Sequence, residues 1–283
     1  MKKFLVIGNP IDHSLSPKLH NYWFKKYGLT EYQYDKKEIT EKDLESTVNN
    51  VRKNFITGIN VTVPFKKSII RFCDTLDGAA DDIQSVNTIS KKDGKIIGWN
   101  TDSYGFKDCL DPFFLKKGDH FIGEMYEKSV FVLGAGGVTA SILDALWGFR
   151  PKKIFLSNRT KSKALELKKK FSKKFDDIEV LDWGKKPKNK SSIVINTTSL
   201  GLKEEDKINI DFSDYESKKN NQILFIDLIY SRKTNFLEDA QKRGNLTADG
   251  KIMFLGQAKY SFNIWTNILP KIDEDVMRLL KND

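Results

Sequence analysis

The residues best suited to chemistry in this 283-residue sequence begin at Gly134-Ala135-Gly136-Gly137. An apolar run, Ser129 to Leu133, precedes them, and a helix-forming stretch continues to Trp147. Glycines between a strand and a helix N-terminus let the backbone close on a pyrophosphate, whose charge the helix end favours. The third glycine position of that fingerprint holds Thr139, so a glycine turn with no ligand is the competing reading. The end of the next strand selects the cofactor, because an acidic residue there bonds the ribose 2′-hydroxyl and repels a 2′-phosphate. Here that position reads Ser157-Asn158-Arg159-Thr160, and a guanidinium with a hydroxyl favours NADP over NAD. A cation at the positive end of a helix is otherwise unfavourable without an anion beside it.

Strands and helices must hold these loops. Phe4 to Ile7 reads as a buried strand ending at Gly8-Asn9-Pro10, and Ser16-Pro17 opens a helix that reaches Tyr27 and stops at Gly28. Tyr32 to Tyr34 is a second strand, Thr40 and Asp43 cap a helix to about Asn54, and Ile59 to Val63 alternates as a third strand. Pro64 closes that strand, with Phe65 to Phe72 expected as helix. Asp93-Gly94 suits a tight hairpin between Thr88–Ser90 and Ile96–Trp99. A helix follows from Ser103, and the stretch from Asp111 to Glu127, with Pro112, Gly118 and Gly123, reads as a surface excursion. Apolar runs at 129–133, 154–156, 178–181, 193–195 and 223–226 predict a doubly wound sheet. Helices over Met253–Trp265 and Asp273–Lys281 end the chain. The alternation of strand and helix gives the α/β class, and the length allows two domains.

Short polar motifs follow the first strands: Ser14-Leu15-Ser16-Pro17, Asn60-Val61-Thr62-Val63-Pro64-Phe65-Lys66, Val86-Asn87-Thr88 and Asn100-Thr101-Asp102. With the glycine loop, Asn158-Arg159-Thr160, Asn196-Thr197-Thr198-Ser199 and the run from Gly250 to Gln257, they resemble the shikimate dehydrogenase family over nearly the whole chain, in order. The resemblance implies a discontinuous α/β substrate domain, residues 1–102 with 250–283, and an inserted Rossmann-type NADP domain, residues 103–249. It implies reversible NADPH-dependent reduction of 3-dehydroshikimate to shikimate in chorismate and aromatic amino-acid biosynthesis. In that scheme Ser14 and Ser16 hold the substrate carboxylate, Thr62, Asn87 and Gln257 bond the ring hydroxyls, and Lys66 with Asp102 is the catalytic pair. Gly134, Ala135, Gly136, Gly137, Asn158, Arg159, Thr160 and Thr198 serve the cofactor. Tyr230 and Met253 line its nicotinamide side, and the Gly250 backbone approaches the nicotinamide amide. One departure is Ala140, where the family often carries a basic residue.

Hydride addition to a ketone leaves an alkoxide, so a cationic donor must stabilise the charge and deliver a proton. A lysine held by a carboxylate does both. By residue type alone, Lys66 beside Lys67 reads as a surface lysine, Asp102 as the N-cap of the next helix, Ser16 as a helix cap, and Asn60 as a loop fastener. Two other functions stay open: a quinate/shikimate dehydrogenase with broader substrate and NAD(P) use, and a dinucleotide-binding regulatory protein without catalysis. The second predicts loss of Lys66 or Asp102, and both are present.

The net charge of +10 could mark a nucleic-acid binder. The densest lysines, at 168–170, 173–174, 185–186, 188 and 190, carry few aromatics for base stacking. A solvated surface is the plainer account, and neither nucleic acid nor membrane is an expected partner. Cys73 and Cys109 form no metal or disulfide pattern, which fits a reducing cytoplasm. No segment has the length to span a bilayer. The expected partner is a small carboxylated substrate, bound by a monomer or homodimer. His20 and His120 are expected to be structural or exposed.

Overall fold

A computed structural model describes residues 1–114, 125–218 and 222–280. Contacts divide the chain into two units, Met1–Ser103 with Leu255–Asp283, and Tyr104–Phe254. The family resemblance placed these borders after residues 102 and 249.

The first unit opens with β1 (Lys2–Gly8), α1 (Ser16–Lys26), β2 (Tyr32–Glu38), α2 (Leu44–Arg52) and β3 (Gly58–Val61). It continues with β4 (Thr75–Leu76), α3 (Gly78–Ile83), β5 (Thr88–Lys92) and β6 (Lys95–Trp99). Its sheet runs in the order β2-β1-β3-β5-β6-β4. The β1–β2 and β1–β3 pairs are parallel, and β5 is antiparallel to both β3 and β6. β2 extends past Tyr34 to Glu38, since each of its residues has a register partner on β1, and this pairing outweighs the poor strand propensity of Lys36 and Lys37. The hairpin follows its turn residues: Asp93 and Gly94 lie at φ 51° and 79°. Thr40 and Asp43 form a capping box, which starts a short 3-10 turn before α2.

Two expected elements differ here. β3 ends at Val61 rather than Val63, and Phe65 to Phe72 is not a continuous helix. The Phe65 N–H turns back to Thr62 O at 3.0 Å, and only Ser68–Phe72 coils, as a 3-10 helix. Pro64 has no N–H for a ladder, so the strand gives way to a turn.

α1 buries Leu19, His20, Trp23 and Phe24 on one face. His20 stacks on Tyr34 with ring centroids 4.3 Å apart and planes at 2°. Burial lowers its pKa to about 3, and both ring nitrogens lack hydrogen-bond partners among the described residues. Because the folded pKa lies below the unfolded one, neutral His20 contributes stability that is complete above about pH 6.5 and declines as pH falls toward 3. The slope is about 1.4 kcal/mol per pH unit. Urea midpoints at pH 7 and pH 5 are therefore expected to differ more in the native chain than in His20→Phe, by about 2 kcal/mol of stability. Equal losses in the two proteins would contradict the assignment.

The second unit takes up most of α4 (Asp102–Phe114), then β7 (Ser129–Leu133), α5 (Gly137–Phe149), β8 (Lys153–Ser157), α6 (Lys161–Phe171) and β9 (Ile178–Leu181). β10 (Ile193–Asn196), β11 (Leu224–Asp227), α7 (Asn235–Lys242) and β12 (Leu246–Ala248) follow. The all-parallel order β12-β11-β10-β7-β8-β9 is the doubly wound 3-2-1-4-5-6 arrangement. Its sixth strand, β12, was not expected; its residues are only half buried and give a weak apolar signal. Near-continuous apolar strands such as Val130 to Leu133 and Leu224 to Ile226 are fully buried, as a sheet covered on both faces requires. The order of successive strands reverses between β7 and β10, which pair in parallel, and ligands bind at such a switch point.

The expected surface excursion is overturned for residues 111–114, which are helical. Phe113 and Phe114 are buried, Phe114 lying 6.0 Å from the Phe149 ring, and this packing outweighs the missing N–H of Pro112. The remainder of that expectation, and His120, fall mostly outside the described residues. The chain closes with α8 (Lys251–Thr266) and α9 (Glu274–Leu279), whose N-cap Asp273 accepts from Val276 N–H.

Candidate active site

Lys66 sits in the turn after β3. Buried Phe65 anchors that turn, and Lys66 O accepts from the Val86 N–H at 2.8 Å. Asp102 is placed by Asn100, which donates to Ser85 O at 2.9 Å and accepts from the Asp102 N–H at 3.1 Å. The two meet as an ion pair, Lys66 Nζ donating to Asp102 Oδ2 at 2.7 Å. Asp102 Oδ1 accepts from Asn87 Nδ2 at 2.9 Å. With side chains 19% and 8% exposed, the pair is shielded, yet the lysine still reaches solvent.

Asn87 cannot rotate freely. Its Oδ1 accepts from Thr101 N–H at 2.9 Å and from the Thr88 hydroxyl at 3.0 Å, so its NH₂ must face Asp102. Behind it, Asn60 Nδ2 donates to Asn87 O, Thr88 Oγ1 and Ser261 Oγ, and Asn60 Oδ1 accepts from the Tyr34 hydroxyl at 2.6 Å. Ser261 donates to Gln257 O at 3.0 Å, one turn back along α8. Asn60 thus shapes the site from beneath. Ser261, Thr88 and Tyr34 were not foreseen as part of it, although Ser261 stands four residues after Gln257, on the same helical face. Asn60→Leu would leave several buried polar atoms without partners, and is expected to cost about 2–4 kcal/mol in urea unfolding. A loss below about 0.5 kcal/mol would show the network to be dispensable.

Ser16 does not take the capping role expected of it. The N-cap of α1 is Leu15, with no side-chain bond, so Ser16 does not cap the helix. The Ser14 oxygen instead accepts from Ser16 N–H at 3.4 Å. Ser16 is buried and faces the Tyr34 hydroxyl, whose pKa rises through burial despite that contact. Thr62 lies in the turn after β3, half-buried, its methyl so close to Gly8 that a Cβ there would come within 2.5 Å. Among the described residues no hydrogen bond links Ser14 or Thr62 directly to Lys66 or Asp102.

In the second unit, Gly134 has φ 109° and donates its N–H to Ser157 O at 2.8 Å. A Cβ there would meet Thr197 Oγ1 at 2.4 Å, so the position needs glycine. Gly136, the N-cap of α5, and Gly137 have open space where a Cβ would stand. Thr139 supplies the helix-to-loop contact in the place of the third glycine, its hydroxyl 2.8 Å from Thr197 Oγ1. Asn158 ties two loops together, accepting from Ala135 N–H at 3.1 Å and donating to Thr160 O at 2.8 Å. Thr198 Oγ1 donates to Asn196 Oδ1 at 2.7 Å.

These loops enclose a hollow of about 200 Å³, lined by Gly134, Ala135, Gly136, Asn158, Arg159 and Thr198 among others. Trp183, just after β9, also lines it and was not foreseen. Gly137 and Thr160 do not line it; they stand at the starts of α5 and α6. Ala140 is buried in α5. A larger hollow of about 470 Å³ between residues 200–213 and α7 holds none of the glycine loop and is walled by charges of both signs.

Tyr230 stacks on Phe254 at 4.8 Å, and burial raises its pKa. Met253, next to Phe254 in sequence, is buried. A Cβ at Gly250 would lie 2.0 Å from Leu228 O, so close backbone packing alone accounts for the glycine. Below, Asp227 accepts from Asn196, Ile229 N–H and Thr234, and burial still raises its pKa.

The sequence matches the family model described as the shikimate dehydrogenase substrate binding domain over residues 6–89, and that of shikimate / quinate 5-dehydrogenase over residues 117–236. The shikimate dehydrogenase (NADP(+)) of Pelagibacter ubique is 48% identical over 280 residues, spanning 99% of this chain and 98% of the relative. The Aquifex aeolicus crystal structure of shikimate dehydrogenase is 34% identical with a TM-score of 0.84, over 100% of this chain and 98% of that one. Shikimate 5-dehydrogenase from Listeria monocytogenes, solved in complex with shikimate and NAD, gives a TM-score of 0.87 at 29% identity, over 99% and 96% of the two chains.

Proposed function

The chain belongs to the shikimate dehydrogenase family, and we propose that it catalyses the reversible reduction of 3-dehydroshikimate to shikimate with NADPH, a step of aromatic amino-acid biosynthesis. The observation that carries this reading is the Lys66–Asp102 ion pair, locked in place by Asn87. The open Cβ positions of Gly136 and Gly137, the hollow beside them and the Arg159 cation suit a phosphorylated dinucleotide. NADPH, when bound, supplies the hydride.

The protein's part is placement and proton handling. As negative charge gathers on the ketone oxygen, the Lys66 ammonium stabilises it and gives it a proton; in the oxidative direction Lys66 takes the proton from the hydroxyl. Asp102 positions the amine and accepts from the neighbouring ring hydroxyl. Ser14 and Ser16 hold the carboxylate, while Thr62, Asn87 and Gln257 bond ring hydroxyls. Gly134, Ala135, Gly136, Gly137 and Thr198 border the phosphates, Asn158, Arg159 and Thr160 receive the 2′-phosphoribose, and Tyr230, Gly250 and Met253 serve the nicotinamide. Apart from the nicotinamide contacts of Gly250 and Met253, residues 1–102 with 250–283 take substrate, and 103–249 take NADP. The chain works in the cytoplasm as a monomer or homodimer without nucleic acid. Among the described residues no helix is long and apolar enough to cross a membrane.

The test offers shikimate and quinate in parallel, each with NADP and NAD, and follows reduced cofactor by absorbance. Activity confined to shikimate with NADP is expected. Comparable rates on quinate would replace the strict enzyme with a broader dehydrogenase.

A further inference from the structure

We infer that Trp183 is the wall on which the adenine of the dinucleotide rests, an assignment that depends on the NADP reading above. The topology leads to it. In a doubly wound sheet the pyrophosphate lies at the first helix and the ribose at the end of the second strand, here at α5 and at Arg159 after β8. A base beyond that ribose moves outward along the order β7-β8-β9 and reaches the end of β9, where Trp183 stands.

Trp183 is held there. Asp182 to Lys185 form a turn, Lys185 N–H donating to Asp182 O at 3.1 Å, with Gly184 at φ 87°. The Ser157 hydroxyl donates to Asp182 O at 3.2 Å and Lys161 Nζ to Asp182 Oδ1 at 2.6 Å, fastening the turn to the end of β8 and the start of α6. The indole is half-exposed and has no ring partner among the described residues, unlike Tyr230 or Phe212. Among the described residues it is also the one aromatic side chain lining the hollow, whose other walls are glycine loop, small hydroxyls, amide, guanidinium and a leucine. A flat aromatic face beside a phosphate-binding cation suits a purine nucleotide, since base stacking on an aromatic side chain is sequence-tolerant and strong.

The test titrates the full chain with 2′,5′-ADP and with 5′-AMP by calorimetry and by indole fluorescence, with circular dichroism as the check on folding. The native chain is expected to bind 2′,5′-ADP with saturable quenching. Trp183→Leu should weaken both nucleotides alike, by about tenfold. Trp183→Phe should keep affinity within about threefold yet lose the quenching. Arg159→Ala should weaken 2′,5′-ADP far more than 5′-AMP. Native affinity for both nucleotides in folded Trp183→Leu would overturn the inference. A native chain that binds neither would overturn the NADP reading on which it rests.

Discussion

Lys66→Ala is expected to lower kcat for shikimate oxidation by about three orders of magnitude while KM changes little. A positioned general acid or base contributes about 10²–10⁴ in rate, and in the proposed reaction the same ammonium would also stabilise the developing oxyanion. The variant leaves the Asp102 carboxylate, 8% exposed, with Asn87 but without its cation. That should cost about 1–3 kcal/mol, so circular dichroism and a melting curve must accompany the kinetics. Lys66→Arg keeps the charge but replaces a compact ammonium that can shed a proton with a guanidinium that cannot, and should recover little of the rate. A Lys66→Ala protein with near-native kcat would remove Lys66 from the chemistry.

Arg159→Ala is expected to reduce kcat/KM for NADP by about 10- to 100-fold, while that for NAD changes only a few-fold, narrowing or abolishing the preference. An arginine on a phosphate forms a charge-assisted bond, and only the 2′-phosphorylated cofactor offers that phosphate. Arg159 is exposed, makes no ion pair among the described residues and lines the hollow beside the glycine loop, so its removal should spare the fold. Equal losses with both cofactors would place Arg159 in general anion attraction rather than in 2′-phosphate recognition.

Much of this site was legible because its residues act through local chemistry. Gly134, followed by a helix and preceded by a buried strand, implied a tight loop, and its φ of 109° with Thr197 packed against it is that loop. Asp93-Gly94 implied the hairpin that carries Thr88 and Trp99. Lys66 was different. Nothing in its residue type separates it from Lys67, and only the family motif singled it out; the structure supplies the physical distinction, an ion pair with a carboxylate 36 residues away in sequence. The parts that escaped depend on long-range contacts. Asn60 reaches Ser261 across 201 residues, and Trp183 becomes a wall of the hollow only once β9 lies beside β8. Phe113 and Phe114 were obscured by Pro112, whose local cost tertiary packing overrides.

The central claim is tested most directly by giving the purified chain 3-dehydroshikimate and NADPH and following NADPH consumption and shikimate formation together. The account predicts that the two proceed in equal amounts and stop when either reactant is removed. A folded chain that binds 2′,5′-ADP yet consumes no NADPH with 3-dehydroshikimate would contradict it.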